Sequence, residues 1–338
     1  MQKGGWMLTP WRAALLALAL ASSGAVWAKP TLNVYTYDSF ASKYGPGPKI
    51  KANFEKICGC VLNWVAVDSS AGILSRVQMD GASSNADVVL GLDLNLMGRA
   101  RQTGLLAESG VDTSVVNLPA GWSDPIFVPF DHGYFAFIYD ATKLANPPRS
   151  LQEVVDNPKL RVIYQDPRTS TPGLGLLLWM KAVYGDEAAQ AWAKLAAHTV
   201  TVTKSWYEGY SLFLKGEADV VLSYTTSPAY HVVVEGKTQY RAAPASEGYY
   251  PQVEVAAMLK SAPNRALAQQ FLRFLLEPGF QGEVATGNWM YPVVDQAQPL
   301  PAAFAELAKP TRVLMLPEQQ VQANRRAWVA EWLEATTR

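Results

Sequence analysis

The stretch that decides the fold is RVIYQDPRTSTPGLGLLLWM, residues 161–180. It begins with an apolar run typical of a buried strand and ends, after a polar loop, in a longer apolar run typical of a helix. Ser170 or Thr171 is placed to cap that helix, and Pro172 suits its first turn. The segment therefore predicts a strand, a loop and a helix in direct succession.

The start of this predicted helix is a candidate site for an anionic oxygen. Free amide donors and the positive end of the helix dipole favour negative charge there, and the Ser170 and Thr171 hydroxyls point at the same spot. Gly173 and Gly175 would let a second backbone or a ligand approach closely. A capped strand-to-helix junction without a ligand has the same features, so the rest of the chain must decide between the two interpretations.

The first 28 residues have the features of a secretory signal peptide. Lys3 and Arg12 precede an apolar run at residues 13–21, and a cleavage site is expected after Ala28. The apolar run is shorter than the roughly 20 residues that a membrane span needs. We therefore expect a secreted mature chain that begins at Lys29.

Length and charge point to two lobes and a small ligand. Removing 28 of the 338 residues leaves 310, enough for two domains with separate cores. Because Lys3 and Arg12 are removed, 27 of the 29 basic residues remain against 29 acidic residues, a net charge of −2. The absence of a basic cluster argues against nucleic acid or an anionic membrane as the partner.

The two cysteines, Cys58 and Cys60, permit two interpretations. An oxidising compartment would allow a disulfide, but the ring of a C-x-C disulfide is tight, so bridged and free forms both stay open. Two sulfurs alone make a poor metal site. Both cysteines precede a predicted strand, which places them at the end of the sheet opposite the expected ligand site.

Alternating strand and helix patterns predict an α/β fold with two lobes. Residues 29–128 are predicted to begin lobe 1, residues 129–254 to form lobe 2, and residues 255–338 to return to lobe 1 and end in helices. A β-rich segment at 127–139 and another at 253–259 would be the two crossover segments. We expect hinges near residues 127–130 and 253–257, with a ligand cleft between the lobes.

Residues that follow the predicted strands are rich in aromatic rings and hydroxyl groups. In open α/β sheets, ligands bind beyond the carboxyl ends of the strands. Tyrosine and tryptophan faces hold flat or cationic rings, and hydroxyls with helix-start amides hold phosphate or hydroxyl oxygens. The positions concerned are 35–40, 68–70, 93, 168–171, 204–207, 224–230 and 287–291.

Enzyme motifs are missing from the sequence. It has no G-x-S-x-G, H-E-x-x-H or G-x-x-x-x-G-K-[ST] motif, and the glycines at 173 and 175 lack the third glycine of a dinucleotide fingerprint. His231 and Glu235 are four residues apart and could share a helix face, but we expect a solvated pair there rather than a metal site. The sequence predicts a binding protein, not an enzyme.

Several segments together resemble one family, the periplasmic thiamine-binding proteins of bacterial thiamine uptake transporters. They are YTYDSF (35–40), ADVVLGLD (86–93), YQDPRTSTPGLG (164–175) and TGNWMYP (286–292). The resemblance covers essentially the whole mature chain. It implies a type 2 periplasmic binding protein fold and a periplasmic monomer that captures thiamine, thiamine phosphate or thiamine diphosphate, without a cofactor or metal. It also implies delivery to an inner-membrane ABC permease and, through the permease, coupling to its ATPase.

The resemblance implies ligand contacts at matching positions of this chain. Ser170 and Thr171 match the loop that meets the ligand, and the segment 224–227 matches the part that closes over it. Where the family carries Asp-Gly after the second strand, this chain has Ser69 and Ser70, preceded by Asp68. The predicted ligand-binding residues are Tyr37, Ser69, Ser70, Ser170, Thr171, Trp206, Tyr224, Thr225, Thr226, Ser227, Tyr230 and Trp289.

Two alternative functions share this architecture. Ferric-ion carriers use adjacent tyrosines, and Tyr249 and Tyr250 form such a pair. A thiamine-cleaving transferase would need a cysteine in the cleft, and neither Cys58 nor Cys60 is expected there. Absorption by an iron tyrosinate, or release of free thiazole from thiamine, would distinguish these alternatives from thiamine capture.

Overall fold

The structure is a computed structural model that describes residues 28–337. The predicted signal peptide lies outside the described residues except for Ala28. Within residues 28–337, no helix has both the length and the apolar character needed to cross a membrane.

Strands and helices alternate along most of the described chain, as the sequence predicts. The strands are β1 (Thr31–Tyr37), β2 (Val61–Val67), β3 (Val88–Asp93), β4 (Val128–Asp140), β5 (Val162–Gln165), β6 (Thr199–Thr203), β7 (Val220–Tyr224), β8 (Tyr240–Ala242), β9 (Pro251–Met258) and β10 (Tyr291–Pro292). The helices are α1 (Asp38–Ala41), α2 (Gly47–Cys58), α3 (Ser70–Asp80), α4 (Leu94–Gln102), α5 (Leu151–Asp156), α6 (Thr171–Tyr184), α7 (Ala188–Ala196), α8 (Trp206–Leu214), α9 (Ser227–Glu235), α10 (Arg265–Phe274), α11 (Pro278–Gln281) and α12 (Glu318–Thr336). A π-helix (Val284–Asn288) precedes β10.

The strands form one sheet in the order β2-β1-β3-β9-β4-β7-β5-β6, with β8 and β10 paired to β4. β1, β2 and β3 are parallel, and so are β5, β6 and β7. β9 and β4 lie between these two parallel blocks and run antiparallel to their neighbours. Each parallel block with its helices forms one α/β lobe, and the antiparallel pair connects them.

Strand β4 carries the chain from one lobe to the other. Its first half pairs with β9 as far as Tyr134, and its second half pairs with β7 from Phe135 onward. The long β-rich segment predicted here is confirmed as one strand of 13 residues. The lobe boundaries at 128/129 and 254/255, and the hinges near them, stay predictions.

The two ends of the sheet are brought together in space. β2 and β6 are the first and last strands in the sheet order, yet Asp68, just after β2, forms an ion pair with Lys204, just after β6. The sheet is therefore curled, and the carboxyl ends of its two parallel blocks face each other.

The segment at 161–180 folds as predicted, into β5, a short loop and α6. Every residue of α6 from Thr171 to Met180 is buried. The helix lies between the sheet and the helices α7 and α12, which explains why its sequence is apolar on all sides. Trp179 anchors it by donating its indole N–H to the Gly248 carbonyl at 3.0 Å.

The terminal helix α12 packs against both lobes. Val321 and Trp332 are buried and Trp328 is half-buried. Trp332 donates its indole N–H to the Tyr164 hydroxyl at 3.1 Å in one lobe, and Gln322 bonds the Gly98 carbonyl at 3.3 Å in the other. The predicted apolar stripe of this helix thus covers part of the core.

Cys58 and Cys60 form a disulfide at the turn between α2 and β2. Gly59 between them has a left-handed backbone (φ 62°), a conformation that glycine adopts without strain. The pair lies at the amino end of β2, so the structure settles the open question in favour of the bridged form and places it away from the carboxyl ends of the strands.

Candidate functional site

The start of α6 faces the centre of the molecule. Ser170 caps the helix through its backbone, since its carbonyl accepts the Leu174 amide at 2.9 Å, while its hydroxyl makes no capping bond. Ser170 is 4% exposed and Thr171 is 8% exposed. The Thr171 hydroxyl oxygen is buried and has no hydrogen-bond partner of standard geometry among the described residues. Two hydroxyls therefore lie at the start of the helix, and that of Thr171 is close enough to Asp93 to oppose the rise that burial causes in the pKa of that carboxyl.

The two glycines of this segment, Gly173 and Gly175, allow other parts of the protein to pack closely against α6. A Cβ on Gly173 would lie 2.3 Å from the Gln165 carbonyl oxygen, and one on Gly175 would lie 2.1 Å from the Phe135 ring. Both distances are far inside van der Waals contact. The glycines thus let α6 sit directly on the end of β5 and on β4, which fixes the position of Ser170 and Thr171.

A chain of hydrogen bonds holds Trp206 against the end of β7. The Trp206 indole N–H donates to the Ser223 hydroxyl at 2.7 Å, and the Ser223 and Ser227 hydroxyl oxygens are 2.6 Å apart. Ser227 also accepts the Tyr224 amide at 3.2 Å. Three predicted site residues, Trp206, Tyr224 and Ser227, are therefore brought together by one network.

The two threonines between Tyr224 and Ser227 are fully buried. Thr225 donates its amide to the Tyr134 carbonyl at 2.9 Å, in the part of β4 where the strand changes lobes. Thr226 contacts the sulfur of Met290 through its hydroxyl at 3.6 Å. This segment thereby joins the second lobe to the chain around Trp289.

Tyr230 and Trp289 form a second aromatic pair. Their ring centroids are 5.4 Å apart with the rings edge to face. Trp289 has a left-handed backbone (φ 57°), which is costly for a residue with a side chain and is tolerated mainly at functional sites. Asn288, the residue before Trp289, belongs to the group of polar residues around Tyr37.

Tyr37, Asn288 and two buried acids form a polar group at the junction of the lobes. The Tyr37 hydroxyl donates to Glu254 Oε2 at 2.6 Å. Asn288 Nδ2 donates to Asp131 Oδ2 at 2.5 Å and lies 3.2 Å from Glu254 Oε2. Burial raises the pKa of Asp131 to about 7, and burial together with the Asp131 charge raises the pKa of Glu254 well above its usual range.

A third acid, Asp93, lies at the end of β3 close to this group. It caps α4, accepting the Asn95 amide at 2.8 Å, and is fully buried. Burial raises its pKa, while the Asn95 amide, the nearby Thr171 hydroxyl and the Arg325 charge act in the opposite direction. The charges of Glu254, Asp93 and Asp131 also raise the pKa of Tyr224, after burial itself. The acids therefore lie within electrostatic reach of the predicted site.

Ser69 and Ser70 lie at the start of α3. The Ser69 hydroxyl caps the helix by accepting the Gly72 amide at 3.2 Å, and Ser70 is buried. In the described part of the chain, neither serine shares a hydrogen bond with another predicted site residue. Their nearest link to lobe 2 is the preceding residue, Asp68, through its ion pair with Lys204.

A groove of about 320 Å³ lies beside the predicted site and includes none of its twelve residues. It is lined by Asn117, His132, Tyr291, Pro292, Val294, Asp295, Gln296, Gln298, Pro299 and Leu300. Burial lowers the pKa of His132 to about 4, so its ring is neutral near pH 7. The predicted site residues lie outside this groove and range from fully buried, as Thr225 and Thr226 are, to 37% exposed, as Tyr230 is.

Residues 36–282 match the model of a known family, described as bacterial extracellular solute-binding protein. The thiamine-binding periplasmic protein of Salmonella typhimurium is 58% identical over 324 residues, which is 96% of this chain and 98% of that protein. The chain belongs to the bacterial extracellular solute-binding protein family. The resemblance to periplasmic thiamine-binding proteins that the sequence predicted is confirmed.

Solved structures agree with this assignment. A periplasmic thiamin binding protein matches with a TM-score of 0.90 and 57% identity, over 92% of this chain and 97% of that one. The apo ferric ion-binding protein A of Pasteurella haemolytica matches with a TM-score of 0.74 at 18% identity, over 90% of this chain and 97% of that one, and shares the fold alone. The predicted fold class, two α/β lobes of the type 2 periplasmic binding protein kind, is confirmed.

The acids in the crossover strands of this solute-binding protein are absent from the predicted site residues. The predicted crossover segments that contain Asp131 and Glu254 are described only as β-rich, and Asp93 and Asn288 appear only among the residues that follow predicted strands. The signal was present, because a carboxylate within an otherwise apolar strand is costly unless it is paired or protonated. The sequence does not show which of these residues pair, because Asp131 and Glu254 lie more than a hundred positions apart.

The expectation of a solvated His231–Glu235 pair is wrong. Both residues lie on α9 and their side chains are 2.9 Å apart, but His231 is fully buried. Its other ring nitrogen lies 2.9 Å from the Tyr210 hydroxyl, and the Tyr210 ring stacks on Trp206. Pro228 lies at the start of a helix, α9, that is not among the predicted elements. This helix turns the His231 side chain inward, where it contacts Tyr210, and Tyr210 in turn packs against Trp206.

The adjacent tyrosines of the ferric-ion alternative have structural partners. Tyr249 and Tyr250 are both buried. The Tyr249 hydroxyl donates to the Ala243 carbonyl at 3.2 Å, and the Tyr250 hydroxyl donates to Asn95 Oδ1 at 3.4 Å. Among residues 28–337, no group of three or more His, Cys, Asp or Glu side chains is placed to hold a metal ion.

Proposed function

We propose that this solute-binding protein captures thiamine and its phosphate esters in the periplasm and delivers them to an inner-membrane ABC permease, whose ATPase drives import. It acts as a secreted monomer and as a carrier rather than an enzyme. The observation that carries the proposal is the 58% identity, over nearly the whole chain, with a protein named as thiamine-binding and periplasmic.

The chemistry of the candidate site supports this ligand. Thiamine combines a cationic ring with a flat pyrimidine and carries a hydroxyl or phosphate tail. Aromatic rings next to buried carboxylates suit the cationic part, because ring faces and negative charge both attract a cation. The start of α6, with Ser170 and Thr171, suits the tail, since helix-start amides favour anionic oxygens. Tyr224 to Ser227 close the tail site from the other side.

Calorimetric titration of ligand-free protein tests the proposed function. We expect thiamine, thiamine phosphate or thiamine diphosphate to bind with one site per chain, and ferric citrate to give neither heat nor a tyrosinate absorption band. A protein that bound iron and ignored all three thiamine compounds would contradict the proposal.

Replacing Ser170 and Thr171 by alanine should weaken the binding of thiamine phosphate by about 1.5–3 kcal/mol, the usual value of a hydrogen bond to a charged group. Free thiamine, which lacks the phosphate, is the matched control and should lose less. Both affinities are measured by calorimetry on the same double variant. If the affinity for thiamine phosphate is unchanged, the tail does not lie at the start of α6.

We also expect the lobes to close on the ligand, with hinges near residues 127–130 and 253–257. Ser170, Thr171 and Thr225–Ser227 are at most 8% exposed, so an open form must exist for a ligand to enter. Small-angle scattering should show a smaller radius of gyration with saturating thiamine than without it. An identical scattering curve in both states would count against closure.

The Asp68–Lys204 ion pair should slow ligand release, because it joins the two lobes at the mouth of the cleft. Both side chains are well exposed, so we expect Lys204→Met to raise the dissociation rate only about two- to fivefold, and less in high salt. Lys194→Met is the control, since Lys194 pairs with Asp156 within one lobe. Stopped-flow displacement of bound thiamine measures both variants. Equal rates for the two would show that the pair does not hold the lobes together.

A further inference from the structure

Asp131 and Glu254 are paired carboxyl groups on the two strands that connect the lobes. They face each other in register, Asp131 on β4 and Glu254 on β9. Asp131 is fully buried and Glu254 is 6% exposed. Their hydrogen-bond donors are the Tyr37 hydroxyl, the Asn288 amide and, at 3.4 Å, the Gln252 amide.

No cation compensates this pair within the described part of the chain. The charged and titratable groups that face it are Tyr37 from β1, Asp93 from the end of β3 and Tyr224 from β7. All three are neutral or negative. Arg325 from α12 acts on Asp93 instead. Two carboxylates in contact inside a protein, without a cation, cannot both stay ionised.

One proton between the two groups resolves this conflict. A protonated Glu254 can donate a hydrogen bond to the Asp131 carboxylate, and contact between the two side chains shifts the pKa of each. Asn288 occupies Asp131 Oδ2, and Asp131 Oδ1 has no other hydrogen-bond donor among the described residues, so Oδ1 is the atom left to accept that hydrogen bond. The pair therefore has the chemistry of a carboxylic acid–carboxylate dyad with one shared negative charge.

The dyad is in contact with the proposed ligand site. Tyr37 is one of the predicted ligand-binding residues and donates directly to Glu254. Tyr224 is another, and the dyad's charges act on its hydroxyl. A cationic ring placed between these tyrosines would favour the doubly ionised dyad, because an opposite charge nearby stabilises the charged form of an acid.

We propose that Asp131 and Glu254 hold one proton between them in the empty cleft and release it to solvent when the cationic ring of the ligand binds. The inference rests on the proposed function, because it needs a cationic ligand at this site. It assigns the dyad as the anionic subsite for that cation. Each ligand that binds then releases one proton. Below the pKa of the pair, the affinity for the ligand therefore rises by up to about tenfold per pH unit.

Calorimetry in two buffers of different ionisation enthalpy tests the exchange. With wild-type protein near pH 7, the binding heats of thiamine in phosphate and in Tris should differ by the amount that corresponds to release of about one proton per ligand. Glu254→Gln and Asp131→Asn should each bring the count to about zero. Asp156→Asn, which removes a surface carboxylate, should leave it at the wild-type value. Normal thiamine binding without any buffer dependence would overturn the inference and leave the proposed function intact.

Two measurements keep the inference testable if thiamine gives no heat or the variants do not fold. Absence of thiamine binding would contradict the proposed function, and the ligand-free protein then decides about the proton. A carboxyl group whose pKa is raised by folding stabilises the protein at low pH, and this stability is lost as pH rises through the raised pKa. Between about pH 5 and 8, the unfolding midpoint of the wild-type protein should therefore fall more steeply than that of Glu254→Gln.

In wild-type protein alone, infrared difference spectra should show the carbonyl stretch of a protonated carboxyl group and its loss on adding thiamine. Equal pH slopes, or no such band, would overturn the inference.

Discussion

Gly173→Ala should lower the free energy of unfolding by about 3 kcal/mol, the upper end of the range for overpacked positions. The new Cβ would lie 2.3 Å from the Gln165 carbonyl oxygen and 2.6 Å from the Asp166 carbonyl carbon and oxygen, and backbone atoms cannot rotate away as a side-chain tip can. Relief of the clash would require α6 to move off the end of β5. Since Ser170 and Thr171 begin that helix, the variant should also lose affinity for thiamine phosphate.

Gly72→Ala is the matched control for this substitution. Gly72 also lies in the first turn of a helix, α3, but its Cβ would meet nothing closer than the Ser69 hydroxyl at 3.5 Å. Alanine there should be neutral or stabilising by up to about 1 kcal/mol, because it favours the helix and restricts the unfolded chain. Urea unfolding followed by circular dichroism compares the two variants. Similar stability for both would show that the close contact at Gly173 does not position α6.

Removing either tryptophan ring should weaken thiamine binding about 30-fold. A cation against an aromatic face in a desolvated site gains about 2 kcal/mol, and each 1.4 kcal/mol is a factor of ten in affinity. Trp206→Ala removes the ring held by Ser223, and Trp289→Ala removes the ring packed on Tyr230. Calorimetry with thiamine measures both variants.

Tyr207→Ala is the control for the tryptophan variants. Tyr207 follows Trp206 on the same helix but is 72% exposed, so its removal should leave the affinity for thiamine unchanged. Circular dichroism confirms that all three variants are folded. If both tryptophan variants bind thiamine as tightly as the control, the aromatic pairs do not hold the cationic ring.

Local patterns were enough to predict most elements of the fold. The strand predicted after Cys58 and Cys60 appears as β2, and the strand and helix predicted within 161–180 appear as β5 and α6. These elements depend on their own periodicity, their caps and their turns, all of which are contained in neighbouring residues. The helix α9 is missing from the predicted elements, although Thr225–Ser227 followed by Pro228 form a helix-start pattern like the one that predicts α6.

The candidate site was predictable only in part, for a physical reason. Residues at the ends of strands meet in space by the general geometry of parallel sheets, so Ser170, Tyr224 and Trp206 could be grouped from the sequence. Asp131 and Glu254 lie inside antiparallel strands, and their contact depends on the register between β4 and β9. In a hairpin the turn fixes the register, but β4 and β9 are far apart in the sequence and no turn joins them, so their register is set only when the sheet assembles.

The most direct test of the account is a crystal structure of the protein grown with thiamine phosphate. We predict electron density for the ligand between the lobes, with the cationic ring beside Trp206 or Trp289 and near the Asp131–Glu254 pair, and the phosphate at the start of α6. Density confined to the groove lined by His132 and Tyr291, with an empty junction between the lobes, would contradict the account.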